Sequence, residues 1–177
     1  MTSTAMQIIA SYLHLLAVAI YLGGTIAMEF VLGPAQKYIP PAQAQVVAQR
    51  SADRFLVLVW GSLALFPISG MLLFFSLGDQ HLVAKGHFIS SSYGQTLVTM
   101  MILWVVLVIN GSLITFFLRP KLTRKASAGT TGSTMSGKIE EMVSAAKWIE
   151  RITRADLVIA LFIVLLGASL SYGNGIL

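Results

Sequence analysis

Four long apolar stretches, residues 6–32, 55–77, 93–118 and 157–172, set the terms on which this chain can fold. A bilayer's hydrocarbon core is about 30 Å thick and takes about 20 apolar residues as helix to cross. Each stretch therefore reads as a membrane span. The fourth is the shortest and is expected to extend a preceding amphipathic helix through the interface. Composition agrees: 56% of residues are hydrophobic, 11% are charged and the mean hydropathy is +0.79, far from the mixture of a soluble domain. The predicted fold is all-α, an integral membrane four-helix bundle forming a single domain over 1–177, with short cytoplasmic amphipathic helices. The chain has no cysteine, which excludes disulfides, thiolate metal sites, iron–sulfur clusters and covalent c-type haem. Any metal here has to be held by His, Met, Tyr or carboxylate groups.

The basic residues give the orientation, since Lys and Arg accumulate in cytoplasmic loops. Lys37, Arg50 and Arg54 lie between spans one and two. Arg119, Lys121, Arg124, Lys125, Lys138, Lys147, Arg151 and Arg154 lie between spans three and four, and Lys85 alone lies in the second loop. This predicts a multi-pass protein of a bacterial-type inner membrane with both termini outside and loops one and three in the cytoplasm. The net charge of +5 is thus a signature of topology. The lipid bilayer is the expected partner, and nucleic acid is not. No Lys or Arg precedes the first run, unlike a cleavable signal peptide, so the first helix is expected to remain.

Loop one contains Pro34 and Pro40-Pro41, and Pro41 suits the first turn of a short interfacial helix leading into span two. Residues 126–137, rich in Gly, Ser and Thr, read as a flexible linker. From Lys138 to Arg154 the apolar Ile139, Met142, Val143, Ala146, Ile149 and Ile152 recur at helical spacing, and Glu150 is placed for an i,i+4 pair with Arg154. That amphipathic helix either docks to a larger membrane complex or simply continues into span four. Walker, Rossmann, nucleophile-elbow and zincin spacings are absent from the sequence.

His14 is the ionisable residue set deepest in an apolar run, and such a residue normally faces other helices or a ligand. At about 1.5 Å per residue it lies about 12 Å below the outer surface. Met71 on span two, and Met100 and Met101 on span three, fall at similar depth. His and Met together ligate low-spin haem of raised potential, and thioethers suit Cu(I). Methionine is also a common gap-filler of apolar cores, and depth does not fix the direction around a helix. The outer loop adds His81 and His87: Asp79 with His81 is a candidate pair for capturing a divalent metal, or His87 folds back over the bundle mouth as a second axial ligand; solvated loop histidines are the plainer reading. The candidate cofactor residues are accordingly His14, Met71, Met100, Met101 and His87, and the candidate metal ligands His14, His81 and His87. Gly23, Gly24 and Ala27 form a small-residue face for close helix approach. Pro67 with Gly70 should bend span two, and Asn110 should hydrogen-bond a neighbouring helix. Glu29, Asp53, Arg54, Arg119 and Asp156 fall near the cytoplasmic ends, where ion pairing is cheap.

His14-Leu-Leu-Ala-Val-Ala-Ile-Tyr21-Leu-Gly23-Gly24 resembles the opening helix of the CopD copper-resistance family. Arg54-Phe55 through Trp60 to Ser69-Gly70-Met-Leu-Leu resembles its second helix. Tyr93-Gly94-Gln-Thr-Leu, ending in Leu118-Arg119-Pro120-Lys121-Leu122, is similar to its third, and Arg154-Ala-Asp156-Leu to the start of its last. The resemblance implies copper handling at the inner membrane or, through the related HemJ-like branch, a haem b site in porphyrinogen oxidation. Those relatives often carry a lysine early in the third helix, where this chain has Thr99-Met100-Met101. That departure counts against oxidative catalysis and for a soft thioether ligand. The expected function is a haem b- or copper-binding membrane protein serving electron transfer or copper passage through His14. It is expected either not to be an enzyme by itself or, if one, to be a membrane oxidoreductase. The rival is a cofactor-free accessory subunit docked through the Lys138–Arg154 helix.

Overall fold

Each apolar run forms a helix, and two of the helices extend well beyond the span that composition marks. A computed structural model describes residues 2–77, 88–120 and 135–171, and every regular element among them is helical. Helix α1 runs Thr2–Ile26 and continues through a π-helical turn, Ala27–Leu32, before the chain breaks at Pro40. Helix α2 is Pro41–Leu77, α3 is Ser92–Ser112 followed by a second π-helical turn, Leu113–Leu118, and α4 is Met135–Ser171. All four are long and apolar enough to cross a membrane, which makes this a multi-pass membrane protein.

The amphipathic stretches run without a break into the spans that follow them, as expected for span four, and form the first turns of α2 and α4. Each of these helices has 37 residues, about 55 Å at 1.5 Å per residue, against about 30 Å of hydrocarbon. Pro41 takes the first position of α2, where its missing N–H costs nothing, and no glycine or proline interrupts the following 19 positions. The start of α3 is set by Ser91, whose Oγ accepts from the Gly94 amide at 3.1 Å. Gly94 is required there: a Cβ would stand 1.7 Å from the Phe88 carbonyl oxygen.

Helices α1 and α2 pack closely together, as do α3 and α4, and α1 also meets α4. Close approach of α1 to α2 depends on Gly24, where a Cβ would fall 2.8 Å from the Phe55 ring. Gly23 faces open space. One residue from each helix builds the core: Tyr21, Leu63, Leu107 and Ala160, with Trp60, Phe66 and Trp104 around them. Gln7 at one end of α1 donates to the Ser76 carbonyl at 2.8 Å. The other end of the bundle carries ion pairs between Arg119 and Asp53 at 2.6 Å and between Arg154 and Glu29 at 2.7 Å. Arg154 also bonds Glu150 at 2.5 Å, the expected i,i+4 pair.

Pro67 lies inside α2 and has no N–H to give to the carbonyl of Leu63, four residues earlier. Trp104 on α3 fills that role, its indole Nε1 donating to Leu63 O at 3.0 Å. Proline in a membrane helix is tolerated where a neighbour re-satisfies the freed backbone group. Trp104→Phe is therefore expected to cost about 1 kcal/mol. In a Pro67→Ala background, where the helix supplies its own donor, the cost should fall near zero. A double-mutant cycle by reversible unfolding in mixed micelles measures this, and simple additivity would refute the pairing.

Candidate functional site

His14 faces α2. Its Nδ1 lies 2.9 Å from the Ser69 Oγ, its ring meets Phe66 edge-on at 5.5 Å, and it lies over Gly70, where a Cβ would be in ordinary contact with Cε1 at 3.7 Å. Ser69 is fully buried, and its hydroxyl donates to the Leu65 carbonyl at 2.7 Å, with the Phe66 carbonyl at 3.1 Å. A serine hydroxyl has one proton, and here α2's own backbone takes it. The bond to His14 must then run the other way, with Nδ1–H donating to Oγ. In the neutral ring this fixes the tautomer and leaves the lone pair on Nε2, the arrangement in which a histidine is oriented for metal ligation.

The methionines at similar depth are placed differently. Met71 is next to Gly70 in sequence but 63% exposed, and Met101 is 59% exposed, so both point outward from the described bundle. Met100 turns toward α4, with its Cε 3.5 Å from where a Gly167 Cβ would be. His81 and His87 lie outside the described residues. Among the described residues, no three His, Asp or Glu side chains come together as a metal cage.

A second polar group joins the other two helices. Asn110 on α3 donates from Nδ2 to Oδ1 of Asp156 on α4 at 2.7 Å, which is the helix-to-helix bond expected of Asn110. Asp156 was expected among the ion pairs of the bundle end; it is instead 5% exposed and faces inward, while Arg154, two residues earlier, holds the pairs to Glu29 and Glu150. Tyr21, also buried, is within electrostatic range of Asp156. Phe66 touches both regions, its ring 5.5 Å from His14 and 6.3 Å from Tyr21. Sequence reasoning did not single out Ser69 as the partner of His14. Its seven-residue spacing from Ser62, also buried, marks one face of α2 and was the available signal.

These features define a class: a four-helix membrane protein with an oriented histidine between its first two helices. The family model for copper resistance protein D, CopD, matches residues 49–170, more than half of the chain, and the protein belongs to that family. The match takes in α2 from Gln49, α3 and α4, and begins after the helix that carries His14. No curated protein and no solved structure matches the chain. Family membership makes this a copper-related membrane protein.

The hydrogen-bond direction at His14 is open to test by nitrogen NMR on isotope-labelled histidine, with the His14 signals assigned by their loss in His14→Gln. The neutral ring should show a protonated Nδ1 and a bare Nε2, and Ser69→Ala should mix the two tautomers and cost about 1 kcal/mol of stability. A protonated Nε2 in the wild type would overturn the assignment.

Proposed function

We propose that the protein passes copper through the membrane and that His14 is a nitrogen donor the ion meets inside the bundle. The observation that carries this is the Ser69 hydroxyl, which is committed to its own helix and so holds the His14 ring by Nδ1 with Nε2 left as ligand. Imidazole is a good copper donor, and membership of the CopD family supports copper as the ion. A conducted ion has to be bound well enough to enter and loosely enough to leave. One oriented nitrogen suits that need better than a closed cage. Copper is cargo in this reading. With the basic end of the bundle on the cytoplasmic side, as Lys and Arg placement favours, His14 lies in the outer half, and His81 and His87 belong to the loop on that side.

Cu(I) titration and metal analysis of the purified protein test this. His14→Ala should weaken copper binding by more than the about 10–100-fold that loss of a supporting residue costs, and Ser69→Ala should fall within that smaller range. A Soret band in the purified protein that disappears in His14→Ala would replace copper with haem b. Unchanged copper handling in His14→Ala, with co-purification of other membrane subunits, would favour the accessory-subunit reading.

A further inference from the structure

Asp156 has no part in holding His14, yet it is the more unusual residue. Its side chain is buried against α3, one turn from Ala160 of the core. The groups facing it are neutral. From α3 comes the Asn110 amide, from α1 the Tyr21 phenol, and α2 brings Trp60 and Leu63 to the same core, neither of which titrates. On its own helix the nearest cation is Arg154, which is 62% exposed at its side chain and committed to Glu29 and Glu150. Among the described residues no Lys, Arg or His forms an ion pair with Asp156. A carboxylate in an apolar interior without a cationic partner is costly enough that it takes a proton or draws in a cation. The donors around it are hard, an amide and a phenol, and they suit a proton better than Cu(I).

We propose that Asp156 is a proton-carrying station of the bundle, buried on α4 and held there by the Asn110 amide of α3. Asn110 donates to Oδ1, so Oδ2 is the oxygen that takes up and releases the proton. His14 and Tyr21 stand two turns apart on α1, about 10 Å, Phe66 contacts both of their rings, and Tyr21 is within electrostatic range of Asp156. The role of the station, carriage of a proton while an ion moves, rests on the copper-passage reading. Its existence does not.

Infrared spectroscopy of the full-length protein in lipid tests the station directly. A carboxylic acid C=O band should be present, shift in heavy water, vanish reversibly on titration with base, and be absent from Asp156→Asn. Asn110→Ala should raise its frequency, because the Oδ1 carbonyl loses its donor; this variant also assigns the band if Asp156→Asn fails to fold. His14→Ala should leave it unchanged. No such band, or one indifferent to both Asp156→Asn and Asn110→Ala, overturns the proposal. In vesicles loaded with a pH-sensitive dye, an imposed copper gradient should move protons in the wild type and not in Asp156→Asn, with equilibrium copper binding retained. Proton movement that persists in Asp156→Asn also overturns it. Absence of copper binding in the wild type would sink the passage reading and leave the infrared result standing.

Discussion

The structure depends on one requirement, that polar groups inside hydrocarbon find their partners within the protein. The clearest case is the carbonyl of Leu63. Pro67 deprives it of its helical donor, and the indole of Trp104 crosses from α3 to supply one. A defect in one helix thereby becomes a specific bond to another. The same economy recurs at Ser62, Ser112 and Thr115, whose hydroxyls return to carbonyls four residues earlier in their own helices. Thr115, with its proton so placed, still accepts from Trp60 at 3.3 Å. Ser69 follows the rule as well, and its consequence there is chemical: a hydroxyl with no proton to spare can only accept, and His14 is oriented by it.

His14 and Asp156 answer the requirement in different ways. His14 gives its proton to a buried oxygen and keeps one nitrogen free. Asp156 receives a single neutral donor and forms no ion pair with any described cation. Phe66 presents its ring edge-on to His14 and to Tyr21.

The fold was legible because the hydrocarbon imposes a length on apolar runs, and four runs of that length leave little choice. The charged residues at the bundle end were legible for a related reason. Glu29, Asp53 and Arg119 fall where spans terminate, and they pair there. Depth along a helix can be counted from sequence, but direction around it cannot be when the whole circumference is apolar. So His14 was identified, while its partner Ser69 was not, and Met71 shared a layer with His14 and still faces outward. Asp156 misled for the opposite reason. A charged residue at the edge of an apolar run looks like the end of a span, and only the continuity of α4 through it shows that the helix carries it inward.

That continuity has a mechanical side. From Met135 to Asp156 the helix has no proline, and this stretch measures about 32 Å at 1.5 Å per residue. An unbroken helix is stiff over such a length, so a displacement or twist applied to its first turns arrives at the buried carboxyl group largely undiminished. Helix α2 is different, because Pro67 interrupts its hydrogen-bond ladder just before Ser69. One helix runs uninterrupted to the buried acid; the other has a gap in its own hydrogen-bond ladder beside the histidine.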